Sequence, residues 1–151
     1  MGRIQQPAAG PNGDRQDERA PLRVALIGAG AMGSLHARVV SQHALARLDA
    51  IVDIDEGAGR SLAERFGCPY RRDLEAGLFD AVVVASPTET HFEWVSRALE
   101  LGLPVLVEKP MAFDLRETRA MIDRAAALDV PLMCGFIERF NPAVMLATEI
   151  V

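Results

Sequence analysis

Cysteine, tryptophan and tyrosine are scarce in this sequence: two, one and one among 151 residues. Two cysteines, Cys68 and Cys134, do not make a disulfide framework, and the expectation is a pair of buried thiols in a reducing cytoplasm. Long hydrophobic runs are missing as well. Nothing approaches the roughly 18 apolar residues of a membrane helix, and the first residues lack the apolar core of a secretory signal. Basic charge is short: 16 Lys and Arg stand against 21 Asp and Glu, a net charge of −5. Nonspecific nucleic-acid binding needs basic surface, so neither a nucleic-acid nor a membrane partner is expected. Three histidines show no metal-ligand spacing with the cysteines, so no metal is expected. No G-x-S-x-G elbow marks a serine hydrolase.

Half of the residues are hydrophobic, enough for one domain with a real core. Residues 1–21 are the exception. They are rich in Gly, Pro, Gln, Asp and Arg and nearly free of large apolar side chains, so a disordered tail is expected. After Pro21, strand-like and helix-like segments alternate. The strand candidates are Arg23–Ile27, Ala50–Val52 with the residues before it, Ala81–Ala85, Val105–Val107 and Leu132–Gly135, with Cys68–Arg71 as a short further strand. Nearly all are apolar throughout, as parallel strands covered on both faces are. Between them, Thr90-x-x-Glu93 reads as a capping box for a helix burying Phe92, Val95 and Leu99, with Gly102 as its left-handed end. Asp114-x-x-Glu117 caps another, with a buried stripe of Leu115, Thr118, Ile122 and Ala125. Gly67 closes a helix over 57–66. The alternation predicts an α/β, doubly wound parallel-sheet Rossmann domain over residues 22–137.

One stretch gives this architecture a purpose. Gly28-Ala29-Gly30-Ala31-Met32-Gly33 follows the apolar run Val24-Ala25-Leu26-Ile27 and opens a helical segment. Asp53 ends the next apolar run. Strand, glycines, helix, strand and terminal acid in that order are a dinucleotide-binding fingerprint. Gly28 permits the tight turn, Gly30 clears the way to a pyrophosphate, and Gly33 lets helix and strand approach. The free N–H groups at the helix start, Ala31 and Met32 included, then face the phosphates. Asp53 can accept both hydroxyls of the adenosine ribose and repels a 2′-phosphate, which favours NAD over NADP. Asp55 fits the local helix-capping role, leaving Asp53 for the ribose. Arg60 reads as part of a solvated helix face. Ser86-Pro87-Thr88 lies beyond a strand's carboxyl end, where open sheets bind ligands; a plain strand-to-helix turn weighs equally there. Glu108-Lys109-Pro110 stands at the same sheet edge. A lysine there can hydrogen-bond a substrate oxygen and stabilise charge that develops as hydride moves.

Pro87-Thr88-Glu89-Thr90-His91, Ala98-Leu99, Gly102 and Val105-Leu106-Val107-Glu108-Lys109-Pro110 together resemble the Gfo/Idh/MocA oxidoreductases. Gly28, Gly30, Gly33, His36, Asp53 and Gly135…Arg139-Phe140-Asn141-Pro142 fit the same pattern, which spans roughly Leu22 to Pro142. The resemblance implies NAD- or NADP-dependent oxidation or reduction of a carbinol carbon on a sugar, cyclitol or nucleotide sugar. It makes Lys109 the active-site lysine, places Glu108 by the nicotinamide ribose, assigns His91 to the cofactor half and suggests a cis Lys109–Pro110 bond. It also implies a C-terminal substrate domain, absent from this chain, that supplies the catalytic histidine. Residues 138–151 would begin the connection to it.

Two further readings stand beside the oxidoreductase. A truncated or stand-alone NAD-binding module would have no catalysis of its own and would pair with itself or with a complementary C-terminal half. A methyltransferase on a similar sheet leaves Glu108-Lys109-Pro110 unexplained.

Overall fold

The computed structural model describes residues 20–150, with side chains described through residue 147. The expected disordered tail, but for its last two residues, lies outside them. Six strands form one parallel sheet: β1 (Leu22–Ile27), β2 (Ala46–Val52), β3 (Tyr70–Arg71), β4 (Ala81–Val84), β5 (Val105–Val107) and β6 (Leu132–Cys134). Their order across the sheet is β3-β2-β1-β4-β5-β6. The helices are α1 (Ala31–Gln42), α2 (Glu56–Phe66), α3 (His91–Glu100), α4 (Leu115–Leu128) and α5 (Pro142–Ile150). Chain direction across the sheet reverses between β1 and β4. In open α/β sheets the crevice at such a reversal, outside the carboxyl ends of the strands, receives the ligand.

The core forms two layers because successive strand residues face opposite ways. Ala25 and Ile27 of β1, with Val82 and Val84 of β4, pack against Val95, Ala98 and Leu99 of α3 and Met121 and Ala125 of α4. Val24 and Leu26, with Ile51 and Val83, pack against Ala37 of α1 and Leu62 and Ala63 of α2. Burying one such aliphatic side chain is worth roughly 1.5–3 kcal/mol, so a one-residue slip that exchanged the two layers would be strongly disfavoured. Helices on both faces of a parallel sheet are the doubly wound arrangement that the alternation predicts.

Local chemistry sets the helix ends. Asp55 caps α2 by accepting from Ala58 N at 3.0 Å, and Gly67 ends it at φ +66°. Asp114 caps α4 by accepting from Glu117 N at 2.8 Å. Gly102, just past α3, has φ +71°.

Four expectations are corrected. The Thr90-x-x-Glu93 capping box does not form. Thr90 Oγ1 instead donates to Pro87 O at 2.8 Å and pairs with Ser86 Oγ at 2.7 Å, because a 3₁₀ turn, Thr88–Thr90, leads into α3. Phe92 is exposed; His91, Val95, Ala98 and Leu99 are the buried residues of α3. A polar His91 takes a core position because two backbone carbonyls, Pro110 O and Ser86 O, lie within hydrogen-bonding distance of its ring nitrogens, so its N–H has an acceptor in either tautomer. In α4, Leu115 and Ile122 are exposed, while Met121 and Ala125 are buried and Thr118 is half-buried. The inward positions 118, 121 and 125 keep two of the expected ones, Thr118 and Ala125, and put Met121 in place of its neighbour Ile122. The two thiols are free and half-buried rather than buried. Among the described residues, no helix is long and apolar enough to cross a membrane.

Candidate functional site

Four backbone bonds carry the sheet one residue past its strands. Gly28 N donates to Val52 O at 2.9 Å, Ala85 N to Ile27 O at 2.8 Å, Glu108 N to Val84 O at 2.9 Å and Gly135 N to Val107 O at 2.8 Å. The loops bearing Gly28, Ser86, Glu108 and Gly135 thus leave one edge in fixed register.

The glycine loop is tight. Gly28 sits at φ +101°, and a Cβ there would come 2.6 Å from Ala85 O. A Cβ on Gly33 would fall 1.8 Å from Gly28 O, so only glycine lets α1 close onto the turn. A Cβ on Gly30 would meet nothing within 4 Å. Gly30 is exposed at the α1 N-cap, with no side-chain cap on the helix, so the first N–H groups are left for an external acceptor.

Asp53 is more engaged than its sequence position suggests. Its Oδ2 accepts from Ala29 N at 2.6 Å, and its Oδ1 accepts from Asp55 N at 2.8 Å. Asp55 takes the local helix-capping role as expected, and Asp53 in addition braces the glycine loop. Each carboxylate oxygen keeps a further lone pair for a ribose hydroxyl. Arg60 is tied down, bonded to Glu56 at 2.7 Å and lying over the Tyr70 ring at 5.1 Å.

These residues surround a cavity of about 730 Å³. Gly28, Gly30, Ala31 and Met32 line it, as do Asp53, Ser86 and Pro87, all expected from the sequence. Ile54, Glu93 and Trp94 line it too. Sequence reasoning missed these three: Trp94 as the half-buried neighbour of a core position, Ile54 as an exposed residue after a strand.

Other expected residues stand behind or beside the cavity. Gly33 is buried beneath the turn, and Thr88 and His91 do not line it. His91 is 1% exposed, with Nδ1 3.0 Å from Pro110 O and Nε2 2.9 Å from Ser86 O. It clamps the Ser86 loop to the Lys109 loop rather than facing the cavity. Glu108 is also buried. Its Oε1 lies 2.7 Å from His36 Nε2, and its Oε2 accepts from Lys109 N at 3.1 Å. Lys109 itself is exposed, and the Lys109–Pro110 bond is cis. Near Glu108, the Cys134 thiol is pushed up by burial and then by the Glu108 charge.

The glycine clearances, the open helix start and a cavity in the size range of cofactor pockets all fit a dinucleotide. Gfo/Idh/MocA, described as an oxidoreductase family with an NAD-binding Rossmann fold, matches residues 22–136. The chain belongs to that family. It is 35% identical over 133 residues to an inositol 2-dehydrogenase of Rhizobium meliloti, covering 86% of this chain and 40% of the relative. It is 41% identical over 128 residues to inositol 2-dehydrogenase 4 of Saccharopolyspora erythraea, covering 80% and 38%. GenD2 from gentamicin A biosynthesis, solved in complex with NAD, superposes with a TM-score of 0.75 at 32% identity, covering 85% of this chain and 37% of that one. The chain therefore spans about two fifths of the length of these Gfo/Idh/MocA relatives and corresponds to their NAD-binding domain.

Proposed function

We propose that this chain is the cofactor-holding part of a dehydrogenase that moves hydride between NAD and a carbinol carbon of a cyclitol or sugar. The observation that carries the proposal is the shared sheet edge: the glycine loop and Asp53 lie at one part of it and exposed Lys109 at another, with both loops pinned by backbone bonds. The inositol-specific names of two relatives support the cyclitol class.

NAD, when bound, supplies the hydride acceptor. The residues of this chain do the rest of what this half can do. N–H groups of the glycine loop and the α1 start hold the pyrophosphate. Asp53 accepts from the ribose hydroxyls while keeping the loop braced. Lys109 offers an ammonium to the reacting oxygen and stabilises charge building there. His91 and the His36–Glu108 pair hold the Lys109 loop in place. The proton acceptor comes from outside this chain.

The test joins this chain to the C-terminal part of an inositol 2-dehydrogenase relative. NADH formation from inositol is expected, with loss in Lys109→Ala and little change in NAD binding by calorimetry. NAD binding without turnover in the joined protein would favour the module reading, in which this chain binds NAD and does no chemistry. Steady NADH formation by the 151-residue chain alone would overturn the division of labour.

A further inference from the structure

Asp53 is held by its backbone as well as by its carboxylate. The edge strand β3 ends at Arg71, and Asp53 N donates to Arg71 O at 3.3 Å as the last rung between β2 and β3. Beyond that rung a side chain takes over: Tyr70 Oη donates to Asp53 O at 3.0 Å. Tyr70 is half-buried, packs on the core layer of α1 and α2, and stands opposite Ile51 in the β2–β3 register. Its hydroxyl therefore reaches along β2 to the residue whose carboxylate holds Ala29 N and Asp55 N. The ring lies directly against α2. A Cβ on Gly59 would fall 2.5 Å from Tyr70 Cε2, 2.7 Å from Cδ2 and 3.2 Å from Asp53 Cβ. Alanine is the better helix former, but at this position it would push the Tyr70 ring, and the hydroxyl with it, out of place. Arg60, the next residue of α2, lies over the same ring with Cζ 5.1 Å from its centroid. Edge strand and helix thus meet at Asp53 through one ring.

We propose that Tyr70 is a positioning residue for the cofactor: its hydroxyl, seated by Gly59, sets where the Asp53 carboxylate meets the ribose, and so raises NAD affinity without touching the ligand. Tyr70 does not line the cavity. This rests on the NAD reading above, in which Asp53 accepts from the ribose hydroxyls. A bond that positions the carboxylate matters to the ligand only while the carboxylate is there. Asp53→Ala keeps the backbone carbonyl that Tyr70 bonds and removes the group being positioned, so the two roles of the hydroxyl, holding the fold and aiming the acid, come apart in that variant.

The experiment is a double-mutant cycle on the chain, titrated with NAD by calorimetry. Tyr70→Phe keeps the ring against Gly59 and beneath Arg60 and deletes only the donor. It is expected to weaken NAD about two- to tenfold, the net worth of one hydrogen bond. In the Asp53→Ala background the same change should move NAD affinity less than about twofold. Gly59→Ala is the second arm and should weaken NAD at least about threefold with the circular dichroism retained. Amide hydrogen exchange reads the same displacement without ligand. Ala29 N–H, which donates to the Asp53 carboxylate, should exchange at least about threefold faster in Tyr70→Phe, while Gly135 N–H at the far side of the sheet is unmoved. Any of four results overturns the proposal: Tyr70→Phe binding NAD as the parent does, an equal loss with and without the Asp53 carboxylate, folded Gly59→Ala binding as the parent does, or unmoved exchange at Ala29. Parent-like NAD affinity in Asp53→Ala would overturn it too, since nothing would then be aimed at the ribose. In each of these cases NAD binding by the parent leaves the dehydrogenase reading standing. A parent chain that binds no NAD removes both.

Discussion

His36 Nε2 lies 2.7 Å from Glu108 Oε1, joining α1 to the end of β5 across the site. Both side chains are largely buried, at 17% and 7% exposure. The other Glu108 oxygen accepts from Lys109 N at 3.1 Å. Helix α1 is thereby fastened to the loop that carries Lys109. Gly135 closes the space, since a Cβ there would sit 3.4 Å from the Glu108 carboxyl.

That pair gives a prediction with two readouts. Glu108→Ala leaves His36 and the Lys109 N–H without their acceptor in a largely buried place, and should cost about 1–3 kcal/mol in urea unfolding. Glu108→Gln keeps the shape and removes the charge, so its cost should be smaller. The Cys134 thiol is raised by burial and secondly by the Glu108 charge. Removing that charge lowers the thiol pKa. In a Cys68→Ser background, Glu108→Gln should therefore speed alkylation of Cys134 at fixed mildly alkaline pH. An unchanged or slower rate would contradict this account.

Asp53→Ala should weaken NAD about ten- to a hundredfold, the loss of a charge-assisted hydrogen bond worth roughly 1.5–3 kcal/mol. It should not convert the site to NADP. Asp55, Glu89 and Glu93 also line the cavity, and among the described residues no Lys, Arg or His does. A 2′-phosphate would still meet three carboxylates, and Arg60 remains engaged by Glu56. Paired titrations with NAD and NADP check this: NADP binding tighter than NAD in Asp53→Ala would show that Asp53 alone sets the preference.

Much of the site was legible in the sequence, and particular residues show why. Gly28, Gly33, Gly67 and Asp114 act through their own backbone or the nearest turn, so spacing in the chain reveals them. Asp53 was legible as an acid at a strand end, but its bonds to Ala29 N and Asp55 N depend on where a neighbouring strand delivers the glycine loop. The partners of His91 were not legible for a related reason: Ser86 O and Pro110 O converge only once β4 and β5 are paired. On the helix faces Val95, Leu99 and Ala125 are buried as expected while Phe92, Leu115 and Ile122 are exposed, because hydrophobic periodicity identifies a helix more readily than it fixes the edge of its apolar stripe.

The α4 correction can be measured. Met121 is 0% exposed and belongs to the layer beneath α3 and α4, whereas Leu115 is 84% exposed. Met121→Ala should cost about 2–5 kcal/mol, the range for emptying a buried aliphatic position. Leu115→Ala should stay within about 0.5 kcal/mol. Equal costs in chemical denaturation would restore the stripe expected from the sequence.

Asp80 and Arg23 make the pH dependence of the fold predictable. Arg23 Nη2 donates to Asp80 Oδ1 at 2.7 Å, and Arg23 Nε and its backbone N–H donate to Oδ2 at 3.0 and 2.8 Å. Asp80 N returns a bond to Arg23 O at 2.8 Å, so the pair fastens the start of β1 to the start of β4. The Arg23 side-chain hydrogen bond, followed by its backbone N–H, pulls the Asp80 carboxyl from 3.8 to about 2. The unfolded chain thus takes up this proton at higher pH than the folded one. The stabilisation is complete above the unfolded value and disappears as pH falls through the folded value. Both side chains are more than a third exposed, at 37% and 36%, so solvent screening keeps the effect modest. Asp80→Asn should lower the urea midpoint by a constant amount above about pH 5, with the gap to the parent narrowing between about pH 4 and pH 2. A gap that widened on acidification would reverse the sign and remove this pair from the acid response.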